Sequence, residues 1–156
     1  MDGYTQKVST EGISFQVKPR LSKSAIQLRE QLDDSFPDRD RSSDGWLGDS
    51  RHSKTVSDHN PDAQGWVRAI DIDSNIDARK GSSVYLADQL RAYGKSSGRI
   101  SYVIHMGKIC SRKSFWRWVK YSGINAHTHH IHVSFEKTAD ENRSFFEIPM
   151  LGGHNG

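Results

Sequence analysis

Residues His130–Phe135 read HIHVSF, a stretch in which polar and apolar side chains alternate. Alternation with a period of two is typical of a β-strand, because successive side chains point to opposite faces of a sheet. On such a strand His130 and His132 share one face, and the three apolar residues share the other. The stretch therefore predicts a strand that lends one side to a hydrophobic core and presents two imidazoles on its other side.

Two further histidines, His127 and His129, precede this strand, so that half of the chain's eight histidines are clustered here. Neutral imidazole is the commonest zinc ligand, and its near-neutral pKa also suits acid–base catalysis. The strand pattern turns His129 away from His130 and His132, unless the strand begins only after it. Taken alone, a pair of histidines on one face is equally compatible with a polar, solvent-facing strand.

A second polar segment supplies the remaining donors. Ser57–Pro61, SDHNP, reads as a loop that carries His59, and Trp66–Asp73, WVRAIDID, alternates like a strand. One histidine of the later strand, with His59 and Asp71, makes a set of two imidazoles and one carboxylate. Such a set leaves the fourth position of a tetrahedral zinc open for water, which is the catalytic arrangement. Asp71 and Asp73 share one face of a strand, so spacing does not choose between them.

The rest of the chain indicates helices and short strands in mixed order, which predicts an α+β domain. Asp38–Val56 is a polar loop too long to be a simple connection, so we expect it to line a site. The predicted elements are a short strand at Ile13–Val17, a helix capped by Ser22 or Ser24 and ended by Pro37, a strand over Trp66–Asp73, a helix over Ser82–Tyr93, and two strands within Arg99–Cys110 that turn at Met106 and Gly107.

Length and cysteine content favour one domain without covalent cross-links. The 156 residues suit a single domain over 1–156, with a core from about residue 21 to 136 and polar extensions at both ends. Cys110 is the only cysteine, so we expect neither an intrachain disulfide nor a cysteine-rich metal site. We expect the protein to be a monomer.

Charge and hydropathy argue against two classes of partner. The formal net charge is +3, the isoelectric point is about 9.0, and no block of Lys and Arg exceeds three residues, so a dedicated nucleic-acid binder is not expected. No apolar run approaches the ~20 residues that cross a bilayer, so membrane insertion is not expected. The first residues, MDGYTQKVSTEGISFQ, lack the apolar region of a secretory signal, and we expect synthesis in the cytoplasm without a signal peptide.

These motifs resemble a known family. SDHNPDAQGWVRAIDID at residues 57–73 and HTHHIHVS at residues 127–134 are similar to the zinc D-Ala-D-Ala carboxypeptidase and L-alanyl-D-glutamate peptidase family, and in particular to peptidase domains of actinobacterial phage lysins. The similarity spans about Leu21 to Phe135. It implies a small antiparallel sheet with flanking helices, the fold that the Hedgehog signalling domain shares. It also implies Zn²⁺ as cofactor and bacterial peptidoglycan as substrate, cut by an endolysin or a virion-associated lysin.

The resemblance assigns roles residue by residue. The family's three zinc ligands match His59, Asp71 and His132. His130, two residues before the last ligand, matches the base or transition-state stabiliser of one branch of the family. In another branch a carboxylate three residues before that ligand has this role, and the position is held here by His129. His127 matches a further histidine that some relatives carry five residues before the ligand.

Two features depart from the family's pattern. No carboxylate stands at His129, which leaves open whether His129 or His130 matches the catalytic position. The interval of twelve residues from His59 to Asp71 is wider than is usual in the family. The extra residues around Pro61–Gly65 would form a loop, and they keep Asp73 open as an alternative ligand.

Four polar residues are candidates for holding a substrate carboxylate or an oxyanion, namely Ser57, Arg51, His52 and Arg68. The alternative for each is an ordinary solvent-facing polar group. Zinc would lower the pKa of a bound water, and a neutral imidazole could take its proton and pass it to the leaving amine. The sequence does not indicate whether a D-Ala-D-Ala, an L-Ala-D-Glu or a cross-bridge bond is cut.

Two other functions compete with this interpretation. Asp58-His59-Asn60 with a distal histidine also suggests a histidine–asparagine metal nuclease, but those sites lie on a compact hairpin–helix unit, whereas these partners are far apart along the chain. A non-catalytic zinc module that binds cell walls is the second alternative, because His129 replaces the carboxylate. His130 as a substitute for that carboxylate favours an enzyme.

Overall fold

The computed structural model describes residues 6–10, 13–47 and 57–153. In these residues helices and strands are mixed along the chain, so the architecture is α+β, as predicted. The strands are β1 (Gln6–Thr10), β2 (Ile13–Val17), β3 (Arg20–Leu21), β4 (Trp66–Val67), β5 (Ala69–Asp73), β6 (Ile100–His105), β7 (Lys108–Ser111), β8 (Val119–Lys120) and β9 (His130–Phe135), and the helices are α1 (Lys23–Ser35) and α2 (Ser82–Ser97).

The histidine strand β9 lies inside a five-stranded sheet of order β5-β9-β6-β7-β8 in which all neighbours are antiparallel. Asp71 of β5 is directly opposite His132, and Asp73 is opposite His130. Residues opposite each other in an antiparallel pair share a face of the sheet. The predicted strand is therefore confirmed, and one face of the sheet carries both histidines and both carboxylates.

The other face of the sheet forms the hydrophobic core with the two helices. Ile131 and Val133 of β9 are fully buried and belong to the same apolar cluster as the inward side chains of α1 and α2. These helical residues recur at the three- and four-residue intervals of an amphipathic helix. They are Ala25, Leu28 and Leu32 of α1 and Leu86, Ala87 and Leu90 of α2.

Both predicted helices form, with one difference in length. Ser22 is the N-cap of α1, which ends just before Phe36 and Pro37 as predicted. Helix α2 continues four residues beyond the predicted end at Tyr93. Gly94 is an interior position of this helix, where its missing Cβ makes room for the Trp116 ring, 2.8 Å from where that atom would be.

The predicted strand over residues 66–73 is divided. Its first part, β4, pairs in parallel with β3, and its second part, β5, pairs with β9. Arg68 lies between them, donating its backbone N–H to Asp58 and accepting a hydrogen bond from the backbone of Phe135. By contrast, the hairpin of β6 and β7 is confirmed, and it turns at Met106 and Gly107, both with positive φ.

The C-terminal boundary of the core differs from the expectation. We expected the core to end near residue 136, but Phe146, Ile148 and Leu151 are buried in the apolar cluster. The Gln31 amide nitrogen donates to the carbonyls of Phe146 and Leu151, and its amide oxygen accepts from the Phe146 backbone. Isolated apolar residues in a segment without periodicity carry no sequence signal of burial. Neither helix of the described chain combines the length and the apolar character that a bilayer crossing requires.

Candidate metal centre

Three side chains from separate segments meet over the open face of the sheet. Asp71 and His132 project from neighbouring strands, and His59 comes from the loop before β4. The Nε2 atom of His59 lies 3.2 Å from Nδ1 of His132, and the Oδ1 atom of Asp71 lies 3.3 Å from each of these nitrogens. The three donor atoms thus form a nearly equilateral triangle. The group can hold a metal ion.

The size of this triangle matches one face of a tetrahedral coordination shell. With metal–ligand distances of ~2.0–2.2 Å, the ligands of a tetrahedral zinc lie roughly 3.3–3.5 Å apart. The measured separations of 3.2 and 3.3 Å agree with that value. The three residues could therefore bind one ion without rearrangement, and a fourth position would remain for another ligand.

Within the described chain, one carboxylate oxygen of Asp71 has no polar contact apart from the histidines of the site. Oδ1 of Asp71 is buried, and it faces imidazole nitrogens at 3.3 Å from His59 and His132 and at 3.6 Å from His130, without a well-formed hydrogen bond among the described residues. Leaving a buried charged oxygen unsatisfied is costly, on the order of 1–3 kcal/mol or more. A cation at the centre of the triangle would satisfy this atom.

Both histidines are oriented by a hydrogen bond at the ring nitrogen that points away from the group. Nδ1 of His59 donates to the carbonyl oxygen of Trp46 at 2.8 Å, and Nε2 of His132 forms a hydrogen bond of 2.8 Å with Oγ of Ser134. The loop that carries Trp46 is itself fixed to β5 by the backbone bridge between Gly45 and Asp71. Hydrogen bonds of this kind select the tautomer and orient the ring of a metal-binding histidine.

The ionisation of the ligands reflects their mutual contact. Burial acts to lower the pKa of His59, but Asp71 outweighs it, and the pKa lies above its ordinary value. Burial acts to raise the pKa of Asp71, but His132 and His59 hold it well below its usual range. Without an ion, the raised pKa favours a proton on His59, beside the charged Asp71. An ion would take the place of that proton.

Asp73 does not belong to this group. Its Oδ2 atom accepts hydrogen bonds from the backbone of Ser43 at 2.8 Å and from the hydroxyl of Ser42 at 3.3 Å. Its Oδ1 atom accepts from the backbone of Asn75 at 2.8 Å. Both oxygens of the Asp73 carboxylate thus accept hydrogen bonds from two loops. Of the two candidate ligands, Asp71 is the one whose carboxylate lies beside His59 and His132.

His130 and His127 flank the three-residue group. Nε2 of His130 lies 3.6 Å from Oδ1 of Asp71, and the His127 ring lies edge-on to the rings of His130 and His132. Burial, with the neighbouring imidazoles, lowers the pKa of His127 to about 4, and burial also lowers the pKa of His130. Both rings are therefore neutral near pH 7 and can accept a proton.

Of the other predicted site residues, those that the structure describes contribute no side-chain donor atom to the three-residue group. His129 is exposed, and its backbone carbonyl accepts a hydrogen bond from Ser74. The hydroxyl of Ser57 accepts the backbone N–H of His59 and so shapes the ligand loop. Arg51 and His52 lie outside the described residues.

The guanidinium of Arg68 is paired with carboxylates of the protein and does not face an open site. Its guanidinium makes two hydrogen bonds to Asp140, of 2.7 and 2.8 Å, and one of 2.7 Å to Asp62. These hydrogen bonds outweigh burial and raise the pKa of Arg68 further above its ordinary value. The two carboxylates account for this cation, so the contacts do not support the predicted role in substrate binding.

His105 is a buried residue of the site that sequence reasoning missed. Its Nδ1 atom donates to the backbone carbonyls of His127 at 2.9 Å and His130 at 3.0 Å, and its Nε2 atom lies 2.9 Å from the Ser83 hydroxyl. Burial lowers the pKa of His105, which keeps the ring neutral. One imidazole thus ties α2 to the backbone of both flanking histidines. Its position at the end of strand ISYVIH was the only signal in the sequence.

Tyr102 also supports the ligands from β6. Its ring stacks on that of His132 with centroids 5.3 Å apart, and its hydroxyl donates to Oδ2 of Asp58 at 3.1 Å. Asp58 immediately precedes His59, so Tyr102 contacts one ligand and holds the loop of another. The raised pKa of Tyr102, caused by burial, keeps this hydroxyl protonated as a donor.

Comparisons with known protein families, curated proteins and solved structures found no match to this chain. A buried carboxylate and two imidazoles converge on one point, and two neutral imidazoles lie beside it. This arrangement can bind a metal ion and can place a proton acceptor next to it.

Proposed function

We propose that the protein is a zinc peptidase that cleaves a peptide bond in bacterial peptidoglycan. The observation that carries the proposal is the triangle formed by His59, Asp71 and His132, whose edges fit a tetrahedral ion. Two imidazoles and one carboxylate form a common ligand set of catalytic zinc, and three protein ligands leave one position for water. The substrate class follows from the resemblance of both motifs to the D-Ala-D-Ala carboxypeptidase and L-alanyl-D-glutamate peptidase family, whose fold we also propose for this chain.

The flanking histidines would perform the proton transfers. When bound, zinc supplies a water of lowered pKa and polarises the scissile carbonyl. His130 is neutral near pH 7, so its Nε2 atom can take the proton of the attacking water and pass it to the leaving amine. His127 lies against both His130 and His132, where its ring can stabilise the oxyanion.

The biological setting that we propose is that of a phage lysin acting on the cell wall, as an endolysin or as part of a virion. The test is incubation of purified bacterial cell walls with zinc-loaded protein. We expect new amino groups to appear, EDTA to abolish their release, and added zinc to restore it. Mass spectrometry of the released muropeptides would identify the bond. A zinc-loaded protein that releases no amino groups from any wall type would refute the peptidase.

One observation favours a second candidate, a zinc-containing module that binds the wall without cutting it. The position that carries a carboxylate in one branch of the family is His129, which is exposed and turned to solvent. A protein of this kind would sediment with cell walls but release no amino groups. The neutral His130 beside Asp71 is the reason to prefer the peptidase.

A further inference from the structure

A groove lies on the open face of the sheet, next to the tyrosine that stacks on His132. It has a volume of about 460 Å³ and is lined by Ser101, Tyr102, Ile109, Ser111, Arg112 and Lys113. Tyr102 stacks on His132 and is directly opposite Ser111, and Ile109 is opposite Ile104, the cross-strand neighbour of His132. The groove and the candidate metal centre therefore lie on the same face and share the Tyr102 ring.

The far end of the groove is positively charged. The segment 108–120, KICSRKSFWRWVK, contains no Asp or Glu. Within the described chain no carboxylate pairs with Lys113, and Arg112 has only an exposed ion pair of 3.1 Å with Glu136. Exposed ion pairs are weak, so Arg112 can exchange this partner for a ligand. The five cations of the segment are Lys108, Arg112, Lys113, Arg117 and Lys120.

The turn that carries the two cations at the groove is rigidly built. The hydroxyl of Ser114 donates to backbone carbonyls and accepts the backbone N–H of Ser111. Phe115 and Trp116 both have positive φ, of 55° and 59°, which non-glycine residues adopt only where the surroundings enforce it. Trp116 provides that enforcement, because its ring is buried against Gly94 of α2. A rigid backbone at this turn lowers the ordering penalty of binding a ligand.

We propose that this groove is the subsite for an acidic peptide, whose carboxylate binds Arg112 and Lys113 while its scissile bond lies at the metal centre. The inference rests on the proposed peptidase function and specifies its substrate. From β9 to β7 is two strand spacings, or roughly 10 Å, and Arg112 lies three residues along the chain from Ile109, or roughly another 10 Å at a right angle, so the direct distance is roughly 14 Å. An extended peptide covers roughly 3.5 Å per residue, so the carboxylate should lie about four residues from the scissile bond.

The test is a binding measurement that does not depend on turnover. Zinc-loaded protein with His130→Ala is titrated calorimetrically with an acidic stem peptide and with the same peptide in which the glutamate carboxylate is a carboxamide. The double variant Arg112→Glu/Lys113→Glu is compared with Lys80→Glu/Lys95→Glu, which changes the net charge equally at two exposed sites elsewhere. Thermal unfolding checks that both variants are folded.

We expect the acidic peptide to bind Arg112→Glu/Lys113→Glu at least tenfold more weakly, and Lys80→Glu/Lys95→Glu within about twofold of the parent. The carboxamide peptide should bind the parent as weakly as the acidic peptide binds the groove variant. Equal losses in the two charge variants, equal binding of the two peptides, or binding of neither peptide would each overturn the subsite. Charge-dependent binding without cleavage by the unmutated protein would instead retain the subsite and overturn the peptidase.

Discussion

At the scale of single residues, the two candidate histidine ligands face one point with different ring nitrogens. His59 offers Nε2 because its Nδ1 is engaged by the carbonyl of Trp46, and His132 offers Nδ1 because its Nε2 is engaged by Ser134. Each ring is thus oriented by a partner on its far side, as in many protein metal sites. The chemistry of the site depends on these partners as well as on the three donor atoms.

The choice between the two aspartates can be tested by mutation. We expect Asp71→Ala to lose the metal, because it removes one of the three donors. Asp73→Ala should retain the metal but lower the free energy of unfolding by about 1–3 kcal/mol, since its carboxylate satisfies Ser42, Ser43 and Asn75. Metal analysis and denaturant unfolding of both variants measure the two effects. Loss of metal in Asp73→Ala alone would contradict the assignment.

The clustered histidines should differ sharply in their contributions. His132→Ala should lose metal and activity together, because His132 is a donor. His130→Ala should keep the metal but lose about 10²–10⁴ in rate, the usual size of a general acid–base contribution. His129→Ala, with an exposed side chain, should stay within about tenfold of the unmutated protein. A zinc-loaded but inactive His129→Ala variant would move the acid–base role from His130 to His129.

The buried His105 offers a matched pair of variants. The side-chain amide of Asn can place an N–H near the position of Nδ1, so His105→Asn should keep the hydrogen bonds to the carbonyls of His127 and His130. The amide of Gln reaches the position of Nε2 and keeps only the contact with Ser83. We expect kcat to fall about tenfold or more in His105→Gln and much less in His105→Asn, with the metal content of both unchanged. Equal losses in both variants would show that His105 only fills space.

At the scale of elements, sequence patterns within a short segment predicted the strands and turns that depend on that segment alone. The alternation of HIHVSF and the turn at Met106 and Gly107 are properties of short segments, and both formed as predicted. The burial of Phe146 depends on contacts with Gln31 far along the chain, and the segment itself has no periodicity. The same limit applies to the site: the sequence supplied the donor residues and the resemblance matched Asp71, but the contacts that separate Asp71 from Asp73 exist only in the folded chain.

The interior glycine of α2 provides a test at this scale. Alanine favours a helix by about 1 kcal/mol over glycine, but a Cβ at Gly94 would lie 2.8 Å from the Trp116 ring. We expect Gly94→Ala to lower the free energy of unfolding by about 1–3 kcal/mol and to change the tryptophan fluorescence, because the ring must move. Ser96→Ala on the exposed part of the same helix should change stability by less than about 0.5 kcal/mol. If Gly94→Ala were more stable than the unmutated protein, the Trp116 ring could move to accommodate the added methyl group at little cost.

At the scale of the whole molecule, the candidate metal centre connects the loop of His59 to the central sheet, a connection that the hydrophobic core does not make. Helices α1 and α2 cover one face of the sheet, while His59 reaches the other face from a loop. An ion bound there would connect this loop to β5 and β9. Because an ion that binds only the folded state stabilises it by mass action, the metal should contribute to global stability as well as to catalysis.

The stabilisation of the folded protein by the bound ion should decrease as the pH falls. The raised pKa of His59 means that the metal-free protein gains stability from the proton on His59 beside Asp71 at low pH and loses that stability as the pH rises through the folded-state pKa. The ion competes for the same atoms, so its stabilisation is largest where His59 is deprotonated and shrinks as the pH falls. The depressed pKa of Asp71 keeps its carboxylate charged throughout this range.

The measurement is the difference in Tm between zinc-loaded and EDTA-treated protein at pH 8 and pH 6. With zinc at about 100 times its Kd, the stabilisation at pH 8 should be about 2.7 kcal/mol. For a chain of this size that corresponds to roughly 5–10 °C in Tm. The difference should narrow at pH 6 and should be absent at both pH values in Asp71→Ala, which lacks a donor. A difference that stayed constant or widened on acidification would show that the ion binds elsewhere than at His59.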